Sequence, residues 1–397
     1  MRTLRSAWGW PVSSSRVPCR CRCACRPPTP PASSRPEPVP VSPDGGARFA
    51  KILADLYSDA AAHLIGLVSN RLAAGIDQRG WAEQKLSDTL RLRRDAQRFV
   101  ATLGDEVDAN LYDLLADAYS SGVLAAGGPG VAEAAPGIVA ANRGAVQAYA
   151  AELAGTVKST HTRMLRSAED IYQRVIADVA GQVVTGVQTR REVAAKAVSR
   201  LAGAGVRGFT DRAGRNWELS SYVEMATRTT AGQAHVQGGL DRYTQTGRDL
   251  VIVSDAPEEC EKCRPFEGRV LSLSGREPTA EEVKGHRYAG TLREARSRGF
   301  MHPNCRHALA GFTPGLTKPP ARDTADPEGD KLRQEQRALE RGVRDAKRKV
   351  AGAAPFGDTE ELRAAQALVR LRQFKLRAFV GEHDRKRLPY RETLGAR

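Results

Sequence analysis

The sequence predicts an α+β protein: a long, mostly α-helical N-terminal part, a small β-hairpin-containing subdomain with a Cys/His cluster, and a C-terminal helical hairpin. Three observations predict it. Apolar residues recur at helical spacing from Arg48 to about Leu201. The main runs of strand character come later, where Leu250-Val251-Ile252-Val253 and Val270-Leu271-Ser272-Leu273 flank Cys260 and Cys263. After Pro314-Gly315 the chain becomes densely charged and helical again. The regions expected are a tail at 1–45, a helical region at 46–206, an α+β region at 207–316, and a linker with a helical hairpin at 317–397.

The tail alternates Cys19, Cys21, Cys23 and Cys25 with Arg and Ala, then runs into Pro and Ser. It cannot bury enough apolar surface to fold, and no apolar core of a secretory signal follows its basic start. It reads as a disordered or wrongly started extension, and no function is assigned to it. From Phe49 through Ile52, Leu53, Leu56, Ala60, Leu64 and Leu67 the first helical stripe is continuous, with His63 at its border. A second helix is expected over 81–103, with Leu86, Leu92, Ala96, Phe99, Val100 and Leu103 inward. Gly104 is expected to stop it and Asp105 to cap a third. Gly127-Gly128-Pro129-Gly130 and Pro136 are expected to break the chain before one long helix over 138–187, with His161 in its apolar register. Thr189-Arg190-Arg191-Glu192 has the pattern of a capping box, so a fresh helix starts there.

A turn at Asp211-Arg212-Ala213-Gly214-Arg215 leads to a short strand at 217–219, and Ser221-Tyr222-Val223-Glu224 reads as a second capping box opening a helix to about Tyr243. The strand at 249–254 and its partner at 268–273 place Cys260-Glu261-Lys262-Cys263 at the tip of a hairpin. Short helical turns at 279–282 and 291–295 then return the chain to His302-Pro303-Asn304-Cys305-Arg306-His307. Past the linker, Leu332, Leu339 and Val343 mark one helix, and Leu362, Leu368, Val369, Leu371 and Phe374 mark another.

The three cysteines of the body lie in this cluster with His302 and His307. Two close-spaced ligand pairs on separate loops supply four donors, which a tetrahedral zinc needs and neither pair has alone. Three readings stay open. Cys260, Cys263, His302 and Cys305 close a structural zinc site, with His307 as outer support or alternative ligand. Alternatively the cluster is a metal-free knot of hydrogen bonds. In the third, His302 or His307 works beside a metal in a His-Asn-His-type nuclease, with Asn304 orienting a His. No separate helix supplies a second His at the usual spacing for that chemistry. No nucleophile elbow, phosphate-binding Gly-rich loop or His-Glu-x-x-His occurs either, so a non-enzymatic role is expected.

The formal charge of +15 is uneven. Residues 1–45 carry seven Arg against Glu37 and Asp44, and residues 317–397 carry twenty Lys or Arg against thirteen Asp or Glu. Basic ends around a near-neutral body suit contact with DNA; solvated tails are the plainer alternative. No run of about eighteen apolar residues occurs, so no membrane contact is expected. Cysteines are not spread through the fold as a disulfide framework needs, which fits a reducing cytosol.

The order Gly208-Phe209-Thr210-Asp211-Arg212-Ala213-Gly214-Arg215, then Trp217, Leu219, Tyr222, Met225, Arg228 and Thr229, resembles the phage minor capsid protein 2 family. Cys260 and Cys263, the Glu267-Gly268-Arg269-Val270 turn and His302-Pro303-Asn304-Cys305-Arg306-His307 continue the match. The last two features are similar to the Mu F-like head morphogenesis proteins as well. Arg337-Ala338-Leu339-Glu340-Arg341 with Arg344, Lys347 and Arg348 looks like the family's trailing charged helix. The resemblance covers about 48–395 and implies a structural protein of a tailed-phage or prophage head, acting in assembly, DNA packaging or ejection. Its implied partners are the portal and other head proteins, in a homo- or hetero-oligomer, and packaged DNA through the basic termini. The implied location is the virion, after synthesis in the bacterial cytoplasm. Because His302 and Cys305 belong to the motif shared with the wider group, the resemblance ranks His302 above His307 as fourth ligand.

Overall fold

The computed structural model describes residues 40–128, 130–183, 189–203, 207–210, 216–256, 260–303, 305–317 and 326–394. The tail cysteines, Asn304 and the turn expected at 211–215 lie outside them. The N-terminal part is helical as expected: α1 (Ala47–Ala73), α2 (Trp81–Ser87), α3 (Thr89–Ala126), α4 (Val131–Ala141), α5 (Arg143–Val183) and α6 (Arg190–Gly203). A window of α1 is apolar enough to cross a membrane by length and composition. Its apolar side instead packs in the core, where Leu53, Tyr57, Leu64 and Leu72 are buried.

Three helix boundaries differ from the expectation. Gly104 does not stop a helix: α3 runs straight through it. A mid-helix glycine costs only about 1 kcal/mol relative to Ala, and here the missing side chain leaves room for His161 of α5, whose Cε1 would lie 3.3 Å from a Cβ. Pro136 lies inside α4, and the break falls at Asn142 instead, whose side chain donates to the Ile138 carbonyl at 3.0 Å. The helix expected over 81–103 is divided at Asp88 into α2 and α3, whereas α6 starts after Thr189 as expected, with the Glu192 amide donating to the Thr189 hydroxyl at 3.2 Å.

Strands β1 (Arg207–Thr210) and β2 (Asn216–Glu218) form an antiparallel pair before α7 (Leu219–Gln245), which begins two residues ahead of the proposed Ser221 box. A four-stranded sheet follows in the order β5-β4-β3-β6. β3 (Leu250–Val253) pairs antiparallel with β4 (Arg269–Ser272) and with β6 (Leu309–Gly311); β4 pairs parallel with β5 (Arg287–Thr291). Thr291 and Glu294 close a full capping box on the short α8 (Leu292–Ser297). Val41 bridges to Leu309 with two hydrogen bonds of 2.8 Å, tying the start of the described chain to the sheet.

The C-terminal hairpin is α9 (Pro327–Ala353) packed on α10 (Glu360–Glu382), with α9 also against α6. Caps fit the sequence: the Asp326 carboxylate accepts from the Gly329 amide and the Thr359 hydroxyl from the Leu362 amide. The predicted α10 stripe is half wrong. Ala365, Leu376 and Phe379 are the buried residues, while Leu371 and Phe374 face solvent at 49% and 62% exposure.

Candidate metal centre

The loop between β3 and β4 carries the first half of the cluster. The amides of Cys263 and Arg264 both donate to the Cys260 carbonyl at 3.1 Å, a tight turn that aims the two thiols the same way. The second half arrives after α8, where the Cys305 amide donates to the His302 carbonyl at 2.9 Å. Met301, just before it, holds a left-handed φ of 56°, an uncommon conformation for a side chain of its size. The sequence-predicted residues therefore do converge.

They converge as two triads that share Cys263: Cys260, Cys263 and His302, and Cys263, Cys305 and His307. Within each, the donor atoms lie within 4.8 Å of one another. The Cys260 Sγ meets His302 Nε2 at 2.8 Å, the Cys263 and Cys305 sulfurs are 3.7 Å apart, and Cys305 Sγ lies 3.4 Å from His307 Nδ1. Cys263, Cys305 and His307 are buried, and Cys260 and His302 are half-buried.

Each imidazole is oriented by its other nitrogen. His302 Nδ1 sits 2.8 Å from the Pro303 carbonyl oxygen, and His307 Nε2 lies 2.7 Å from Glu267 Oε1. Sequence reading gave Glu267 no role at the cluster. Its position four residues past Cys263, at the start of the return strand, is the signal that points to it. The Cys305 thiol is held below its ordinary value by a hydrogen bond from Cys263, against burial, while that bond and burial push Cys263 up. Cys260 is pushed up by burial. His302 is raised by its hydrogen bond to Cys263; at His307 burial works downward but is outweighed by Cys263 and Glu267.

A family model described as phage minor capsid protein 2 matches residues 41–381. The chain belongs to the phage minor capsid protein 2 family. The match runs from the Val41 bridge to the end of α10, so the sheet, the cluster and the helical body all fall inside the family's extent. No curated protein and no solved structure matches the chain. Membership makes this minor capsid protein a component of the phage virion that contacts other head proteins.

The residues fit a zinc ion by chemistry, and one triad, Cys263, Cys305 and His307, approaches it in spacing. Thiolates and imidazoles are its preferred ligands, and tetrahedral zinc with metal–ligand bonds of about 2.0–2.3 Å sets sulfur–sulfur edges of about 3.8 Å and sulfur–nitrogen edges of about 3.6 Å. The Cys263–Cys305 separation of 3.7 Å and the Cys305–His307 separation of 3.4 Å approach those edges. Cys260 and His302, at 2.8 Å, stand closer than such an edge. Both imidazoles also have the outer hydrogen-bond partner that metal-bound histidines use to fix their ring.

Proposed function

We propose that this minor capsid protein is a low-copy structural element of a tailed-phage or prophage head, docked at the portal, acting in head assembly, DNA packaging or ejection without catalytic turnover. The family match across 41–381 carries the reading. The outer face of α10 supports a protein partner: Ala364, Ala367, Leu371, Phe374 and Ala378 recur at heptad spacing and are exposed. Arg363, Arg370 and Arg377 run beside that stripe at seven-residue intervals, so a second copy in register would meet like charge. An acidic-flanked helix of the portal ring suits the face better. Leu371→Glu with Phe374→Glu should leave the melting temperature within about 2 °C and abolish co-purification with portal-containing heads. Retention on heads at the parental level would reject α10 as the contact, and absence of the parental chain from purified heads would reject the role.

Within that role, the reading of the cluster is a structural zinc that fastens the loop after β3 to the segment before β6. Cys260, Cys263 and Cys305 would hold the ion as thiolates with His302 as fourth ligand, and His307, tied to Glu267, would buttress Cys305. The competing catalytic reading has a direct test. Divalent-metal-dependent nicking of a plasmid, lost in His302→Ala and His307→Ala, would replace the structural role with a nuclease.

A further inference from the structure

A cleft of about 2550 Å3 opens between the start of α1, α7, the turn after α8, one face of α9 and the segment following α10. Fourteen Lys or Arg side chains line it against seven Asp or Glu. Six of the seven carboxylates already pair with a lining base, among them Glu224 with Arg228 at 3.9 Å and Glu340 with Arg391 at 3.8 Å. The cleft therefore keeps a surplus of cations.

Arg337 is where that surplus concentrates. Its guanidinium is pushed down to about 10 by burial and by the neighbouring charges of Arg391 and Arg228, which outweigh Glu224 and Glu340. Gathering guanidiniums partly out of water opposes folding, and an anion among them offsets that penalty. At the rim stands Tyr390, 51% exposed, with the Arg391 guanidinium 5.5 Å and the Lys51 ammonium 6.0 Å from its ring centre. An aromatic platform bracketed by cations is how proteins hold single strands: a base stacks on the ring while phosphates lie on the cations. Arg344 fixes this rim by donating to the Arg391 carbonyl at 2.7 Å.

We propose that this cleft is a nucleic-acid site, taking backbone phosphates on Arg228, Arg337 and Arg391 and an unstacked base on Tyr390. It needs nothing from the basic N-terminal tail, and it stands on charge and geometry independently of the portal reading.

Anisotropy of a labelled single-stranded oligonucleotide against the full chain tests it. With three phosphates engaged, affinity should fall roughly twentyfold between about 50 and 200 mM salt. Arg337→Gln should weaken binding at least about fivefold and flatten the salt slope by about 0.7, the share of one phosphate. It should also leave the melting temperature unchanged or raised, because it removes a disfavoured charge; a lowered one would overturn the premise. Tyr390→Ala should weaken the single strand about fivefold or more and spare a blunt duplex. Arg370→Gln with Arg377→Gln, twice the charge change but on the outer face of α10, should stay within about twofold. Equal losses from that outer-face pair, or a polyglutamate chain that binds as tightly as the oligonucleotide, would sink the proposal.

Discussion

Where α3 crosses α7, a Cβ on Gly122 would lie 1.7 Å from the His235 carbonyl oxygen, and one on Gly238 would lie 2.1 Å from that of Tyr119. At the cluster, by contrast, the loop between β3 and β4 and the segment before β6 are gathered by three thiols and two imidazoles, beside a sheet whose strands run three to five residues. In the helical body, two large apolar clusters spread the stabilisation over many side chains on long helices. In the subdomain, Cys263 and Cys305 are themselves members of the core, beside Phe266, Phe300 and Leu271. A distributed core tolerates loss at a single site, whereas a core closed by a few polar-capable groups depends on each of them.

The largest expected effect follows from that dependence. Cys305→Ser should release about one equivalent of zinc and remove hydrogen-exchange protection from β3, β4 and β6, while α3 and α5 stay protected. Metal analysis with exchange mass spectrometry reads both parts, and a metal-free parent with the same protection in parent and variant would retire the fastener. The body should break differently. Gly122→Ala forces a methyl into the His235 backbone and should cost about 3 kcal/mol, seen as a lower urea midpoint with the cluster's metal content unchanged. A cost below about 0.5 kcal/mol would mean that the two helices part easily.

The same contrast governs how much could be read in advance. The convergence of Cys260, Cys263, His302, Cys305 and His307 was legible because ligand-type side chains at close spacing carry their own signal, and so was the β3–β4 hairpin. Glu267 was not assigned to the cluster, because a carboxylate in a turn has many uses and its partner is forty residues away. In the helices, periodicity showed the stripes but not the boundaries. Gly104 and Pro136 usually break helices, yet tertiary packing carries α3 and α4 through both. The run Gly232, Gly238, Gly239 in α7 held the missed information: glycines within a helix mark where another segment approaches closely, here the backbones of Pro43 and Tyr119 and the side chain of Val41. The α10 stripe failed for a different reason. Periodicity finds an apolar face without saying which neighbour covers it, and Leu371 with Phe374 is covered by none among the described residues.

The smallest expected effect separates the two regions by the sign of a titration. His161 and His235 of the helical body are both held below the ordinary imidazole value, first by burial. For His161, Lys158 reinforces the shift and Asp108 opposes it; for His235, Arg48 reinforces it and the Ala118 backbone opposes it. His161 Nε2 lies 2.6 Å from the Tyr57 hydroxyl, which can donate to it only while that nitrogen is neutral. A depressed histidine binds its proton more readily once unfolded. Its contribution is therefore complete above the unfolded value near 6.5 and is lost as pH falls toward the folded one. In the metal-free chain the cluster imidazoles are shifted the other way, so in the histidine range, above that of the carboxylates, the acid loss from its histidines belongs to the body. The urea midpoint of the helical signal should fall as pH drops below about 6.5, and His161→Gln with His235→Gln should flatten that slope, whatever they do to the value at neutral pH. An unchanged slope would assign the acid sensitivity to other groups and leave these histidines as packing alone.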